Sequence, residues 1–244
     1  MRKGVGSRVS YCLVAVALAS GAPAFAQKSG AVFDKPASTK KLQTKPDAPE
    51  VICTFYSDAM VREAHDGPTS ENAMLVLGAN AGCADKAPTG AANMETEGLA
   101  LVGRKGDYLV FSAMDPNGAA DFSVIDARTG KTVLKDATYG TPEFKSARAT
   151  GGKTTLAYKR GINAPCSLLN SGARCWGSLV DDGKIPESLA RPAPNPSLCA
   201  ASYKAGKSPK DNPSIIAFDV ETSIDASGKV ATIAKGKAIC DPMP

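Results

Sequence analysis

Apolar and polar positions alternate most clearly near the end of the chain. Ile216, Phe218, Val220, Thr222 and Ile224 fall on one parity, and Ala217, Asp219, Glu221 and Ser223 on the other. That is the period of a strand with one buried and one wet face. Ala226-Ser227-Gly228 then turns the chain into a second apolar run over 230–239, which ends at Cys240. The middle of the chain repeats the scheme. Apolar runs at 99–102, 108–114, 122–126 and 131–134 are separated by Arg104-Lys105-Gly106-Asp107, Asp115-Pro116-Asn117-Gly118 and Arg128-Thr129-Gly130. Proline preset for a bend and glycine free at positive φ mark such turns, so this region reads as a β-meander, with a further strand over 154–160.

Elsewhere the pattern is mixed. Residues 51–55 alternate as a strand. Ser57 stands where a helix cap would, Met60, Val61 and Ala64 would share one helical face, and Gly67-Pro68 would end the helix. Residues 73–78 suggest another strand, followed by a polar, glycine-rich loop over 79–96 that carries Cys83. Residues 175–180 suggest a short helix bearing Trp176. Beyond the proline-rich stretch 186–196, Asn195 and Pro196 suit the cap and first position of a helix ending near Gly206. The expected fold is mainly β, an antiparallel sandwich or curled meander sheet with a few short helices, over 50–244.

The N-terminus follows another logic. Arg2, Lys3 and Arg8 precede an apolar stretch over 11–19, Pro23 breaks it, and Ala24-Phe25-Ala26 gives the small-x-small pattern of signal peptidase sites. Residues 1–26 therefore read as a cleavable signal peptide, with Ala26 and Gln27 flanking the cut. The apolar stretch is too short for an anchor, which needs about 20 residues. The expected location is periplasmic or secreted, with no transmembrane anchor in the mature chain. Residues 27–49, rich in Lys, Pro, Ser and Thr, read as a flexible tether.

Export changes the reading of charge and cysteine. The chain has 29 basic and 24 acidic residues, and removing Arg2, Lys3 and Arg8 leaves 26 against 24. Such a balance argues against nucleic acid as a partner. Of 7 cysteines, Cys12 leaves with the signal. Cys53, Cys83, Cys166, Cys175, Cys199 and Cys240 remain, an even set that reads as disulfides in an oxidising compartment. Closing the shortest loops pairs neighbours: Cys53 with Cys83, Cys166 with Cys175, Cys199 with Cys240. Zinc sites favour closer cysteine spacing and added histidines, and there is only one histidine.

Candidate chemistry is sparse. His65 would need a serine and a carboxylate beside it to act in a hydrolase triad, and no Gly-x-Ser-x-Gly elbow exists to expose a serine. At the end of the expected helix it would sit exposed, where positive charge suits the dipole. Ser38-Thr39-Lys40-Lys41 matches Ser-x-x-Lys but lies in the expected tether. Gly130-Lys131-Thr132 and Gly152-Lys153-Thr154 look like the ends of phosphate loops, yet Ile125 and Ala147 stand where the leading glycine belongs. Asp181-Asp182, Glu221 and Asp225 are the carboxylates to weigh for glycoside hydrolysis. Trp176 reads as core covering a disulfide rather than a stacking platform. No cofactor or metal is implied. The sequence points to a non-catalytic binding module of the bacterial envelope or secretome, whose partner is a protein, glycan or cell-wall ligand. The alternatives are an exported hydrolase using carboxylates or His65, and an inhibitor of a foreign lysozyme or protease.

Overall fold

A computed structural model describes residues 32–244 apart from 44, 46, 67–68, 79–81, 114–117 and 141–143. The signal peptide with Ala26 and Gln27, the first residues of the expected tether, the Gly67-Pro68 stop and most of the 115–118 turn lie outside the described residues.

The chain forms two antiparallel sheets. The smaller contains β1 (Ser38–Leu42), β2 (Glu50–Phe55), β3 (Ala59–Asp66), β4 (Thr69–Ser70), β5 (Met74–Leu77) and β6 (Ala92–Asn93), in the order β1-β2-β3-β5-β6 with β4 also on β3. The larger contains β7 (Leu99–Lys105), β8 (Tyr108–Ala113), β9 (Ala119–Asp126), β10 (Thr132–Tyr139), β11 (Phe144–Thr150), β12 (Lys153–Asn163), β13 (Ser214–Ile224) and β14 (Val230–Pro242). Its order is β14-β13-β12-β10-β9-β8-β7, with β11 beside β12. Between β12 and β13 lie three helices, α1 (Leu168–Asp181), α2 (Glu187–Ala190) and α3 (Ser197–Ala205). The expectation of a mainly β, antiparallel, disulfide-stabilised fold with short helices holds.

Two layers of apolar packing result. Ala59, Val61 and Leu75 of the small sheet pack with Leu109, Phe111 and Ile125 of the large one. The opposite face of β8 and β9, with Tyr108, Val110, Phe122 and Val124, joins the main core formed by β11, β12, β13 and the helices. The large sheet must curl for both halves to share that core. Phe122 sits edge-on to Phe144 and Tyr158, with ring centroids 5.3 and 5.0 Å away. The Tyr108 hydroxyl donates to the Asp225 carbonyl at the β13–β14 turn, 2.8 Å away and 117 residues later. Gly161 permits the close approach of β10 and β12: a Cβ there would stand 2.8 Å from the Thr138 carbonyl oxygen.

Three expectations are corrected. The segment from Ser57 to His65 yields strand β3, not a helix. Its first seven residues are all buried, because one face meets the large sheet and the other the Cys53–Met60 cluster. Burial on both faces erases alternation, and apolar residues at 60, 61 and 64 then imitate helical spacing. His65 is consequently buried in a strand rather than exposed at a helix end. The stretch read as a tether includes β1, which pairs with β2 from Ser38↔Phe55 to Leu42↔Val51. Phe33 lies in the main core, where Gly103 makes room for its ring; a Cβ on Gly103 would fall 2.7 Å from Phe33. A lone buried aromatic carries no periodic signal.

The disulfides follow the neighbour pairing. Cys53–Cys83 ties β2 to the loop after β5, Cys166–Cys175 closes the start of α1, and Cys199–Cys240 ties α3 to β14. Helix α3 starts at Ser197 with Pro196 as its cap, one residue later than the sequence suggests; Asn195 still accepts from the Ser197 amide at 2.9 Å, just before the helix.

Candidate binding cleft and the buried histidine

His65 does meet a carboxylate and a serine. Residues 63 and 65 share one face of β3, and Ser70 of β4 is the cross-strand partner of His65. Yet none of the three is open to a substrate. The Ser70 hydroxyl donates to the Leu99 carbonyl at 2.7 Å, and Glu63 Oε1 accepts from the Leu101 amide at 2.8 Å. His65 Nε2 stands 3.6 Å from Glu63 Oε1, too far for a hydrogen bond, and has no hydrogen-bond partner among the described residues. All three side chains are buried. They turn towards the outer edge of β7, whose free backbone groups Glu63 and Ser70 satisfy. The trio is a junction between sheets. Sequence reasoning missed Glu63, which sits two residues from His65 but only pairs with it once the segment is a strand.

The other motifs separate. Lys41 of Ser38-Thr39-Lys40-Lys41 pairs with Glu50 at 3.0 Å on the exposed first strand. Gly130-Lys131-Thr132 and Gly152-Lys153-Thr154 occur where β10 and β12 begin, as turns. Asp181 and Asp182 end α1, exposed. Glu221 pairs with Lys235 at 2.7 Å, and Asp225 folds back on its own turn to accept from Ser227 and Lys229 amides. No two of these carboxylates face one another. Trp176 is buried beside Cys175 and donates Nε1–H to the Ala190 carbonyl at 2.9 Å. Among the described residues no group of three or more His, Cys, Asp and Glu is arranged to hold a metal ion.

The residues that do converge were not singled out by the sequence. Asp136 of β10 and Arg160 of β12 form an ion pair, Nε to Oδ1 at 2.7 Å, with Asp136 only 6% exposed and Arg160 31%. Tyr158, two residues before Arg160, donates its hydroxyl to Asp136 Oδ2 at 2.5 Å, and the Ala137 amide donates to Oδ1 at 2.9 Å. The chain of contacts continues from Tyr158 to Thr222 at 3.2 Å and on to Thr232 at 2.9 Å, crossing from β12 through β13 to β14. Burial first, and then the Asp136 carboxylate, push the Tyr158 phenol far above its ordinary range, so it remains a donor.

Asp136 is thus fully occupied, and it fixes one side of the Arg160 guanidinium. Among the described residues no other acceptor reaches that guanidinium. Arg160 lines an open cleft of about 850 Å³, together with Glu97, Asp121, Lys135, Asp136 and Lys184. The wall bearing Glu97 is held by Asn72, whose Oδ1 accepts from the Thr96 and Glu97 amides, both at 2.9 Å. Lys135 reaches across to Glu95 at 3.1 Å. The cleft therefore presents both signs of charge on a braced frame. An arginine anchored by a buried carboxylate keeps its remaining N–H groups for a planar anion.

The chain matches no protein-family model, no curated protein and no solved structure.

Proposed function

We propose that this protein is an exported, non-catalytic binding module of the bacterial envelope or secretome, periplasmic or secreted, whose ligand occupies the Arg160 cleft. The observation that carries the reading is the Asp136–Arg160 pair. A buried carboxylate with every oxygen engaged holds a partly exposed guanidinium at a cleft of ligand size. Pre-positioned polar groups of this kind favour affinity, because little side-chain freedom is lost on binding. The mixed charge favours a ligand carrying a carboxylate or comparable anion for Arg160 and cationic groups for Glu97 and Asp121. Peptide and cell-wall fragments have that character. The three disulfides suit an oxidising compartment, in keeping with export through residues 1–26. A hydrolase reading through His65 loses its support, since its partners in space are buried and turned to backbone groups.

The test is capture from envelope extract and from a panel of peptidoglycan fragments and glycans, using the immobilised protein beside Arg160→Ala. A ligand held by the wild type and lost by the variant, with circular dichroism unchanged, supports the reading. Capture of nothing, or equal capture by both proteins, refutes it.

A further inference from the structure

The outer face of β11–β14 uses none of the cleft's residues and differs from it in character. Register assigns its members. Opposite Thr155, Ala157 and Lys159 of β12 stand Ser223, Glu221 and Asp219 of β13, and opposite these stand Ala231, Ile233 and Lys235 of β14. On the other side Arg148 faces Thr155 and Thr150 faces Lys153. Lys145 joins the same face through its contact with Asp219 at 2.7 Å, and Lys159 reaches that carboxylate at 3.3 Å. Five cations (Lys145, Arg148, Lys153, Lys159, Lys235) therefore share the face with two carboxylates (Asp219, Glu221), a surplus of three positive charges.

Three features narrow what such a face meets. Its span is wide: four strands cover roughly 15 Å across, at about 4.8 Å between neighbours. Its relief is low, because threonine, alanine and serine fill the positions between the cations. No aromatic ring stands among these residues to stack on a sugar. Ile233 projects from the same face at its free edge and is 61% exposed, one of few large apolar side chains so placed. A broad, even, cationic surface with one apolar side chain at its margin complements a plane of anionic headgroups over hydrocarbon.

We propose that the outer face of β11–β14 docks this protein peripherally on a bilayer surface rich in anionic lipid. The lysines that clamp Asp219 and Glu221 hold the charges upright in the plane, and Arg148 and Lys153 extend it at the β11–β12 turn. Ile233 enters the interfacial layer.

The experiment is co-sedimentation of the purified protein with vesicles of phosphatidylglycerol and phosphatidylcholine in equal parts, and with phosphatidylcholine alone. Binding to the anionic vesicles that falls steeply with salt is expected, with about a fivefold loss for each cation removed. Arg148→Glu with Lys153→Glu should abolish it, and Ile233→Ser should weaken the part that survives high salt. Lys40→Glu with Lys41→Glu, on the exposed first strand, should leave binding intact. All these positions are exposed, and circular dichroism verifies the fold of each variant. Equal binding to both vesicle types, retention in the Arg148/Lys153 variant, or equal loss in the Lys40/Lys41 variant overturns the proposal. Binding to soluble dextran sulfate without binding to anionic vesicles overturns it as well.

Discussion

Glu63 Oε1 accepts the backbone amide of Leu101 at 2.8 Å, so a carboxylate of the small sheet closes the edge of the large one. Edge strands expose unpaired N–H and C=O groups that invite further pairing. Here β7 is covered by side chains and by one backbone bridge: Ser70 takes the Leu99 carbonyl at 2.7 Å, and the Asp34 amide takes the Arg104 carbonyl at 2.8 Å. Glu63→Ala would leave the part-buried Leu101 amide without its acceptor. The expected loss is about 2–3 kcal/mol, and Glu63→Gln, which keeps an acceptor, should lose about half of that. Urea unfolding of the two variants checks the difference; equal losses would mean that the hydrogen bond is not the cause.

Tyr158→Phe tests the floor of the cleft. The ring stays within the aromatic cluster, while Asp136 and Thr222 each lose a partner. Stability should fall by about 1–2 kcal/mol. Any ligand that depends on Arg160 should bind more weakly, because its anchor is less firmly held. Unchanged affinity beside a clear stability loss would make the network structural alone.

Gly161→Ala probes the contact of β10 with β12. Its new methyl would press on the Thr138 carbonyl and on Ala119, which are backbone and a small side chain that cannot swing away. A loss of about 1–3 kcal/mol is expected from thermal unfolding. Gly177→Ala meets open space and should be neutral or slightly stabilising.

Acid stability should depend on Asp126. Its side chain accepts from the Arg128 guanidinium at 2.7 and 3.0 Å and from the Arg128 amide at 2.8 Å, which holds its carboxyl below the ordinary range. A depressed folded-state pKa contributes stability above the unfolded value, near 4 on average, and that contribution fades as pH falls through the lower folded value. Asp126→Asn should therefore destabilise at neutral pH, by about 1 kcal/mol, and be almost silent in strong acid. Parallel pH profiles for the two proteins would refute this assignment.

How far the sequence speaks depends on what each segment touches. The final hairpin was legible because one face of β13 is buried from Ile216 to Ile224 while Asp219, Glu221 and Ser223 stay partly open. The meander was legible through its turns. The turns that follow β9 and β13 share one chemistry: Asp126 and Asp225 each accept from the amide two residues on. Strand β3 was illegible because both its faces are buried. Strand β11 was missed because residues 144–150 hold only one large apolar side chain, Phe144. The cleft was hidden for a different reason. Asp136 and Arg160 lie in different strands, each unremarkable in its own segment, and only the register of β10 on β12 at Thr138↔Arg160 brings them together.

The disulfides and the proposed export are checked by intact mass of the protein recovered from cells, alkylated with and without prior reduction. A chain starting at Gln27 that labels at six thiols only after reduction is expected. Replacing Cys199 and Cys240 together by alanine, which frees α3 from β14, should cost about 2–4 kcal/mol. Labelling of the native protein would undo the scheme.

The order of that pairing bears on how the protein is made. From Cys53 to Cys240 the cysteines join in three consecutive pairs, and no ring encloses or crosses another. A polypeptide threaded through a membrane from its N-terminus delivers its thiols in that same order. Each ring can close as soon as its second cysteine emerges, before a competitor arrives. For a chain exported as proposed, an oxidant that simply joins cysteines as they come would yield these three pairs, and closure of Cys199 with Cys240 would lock the helical insert to the sheet.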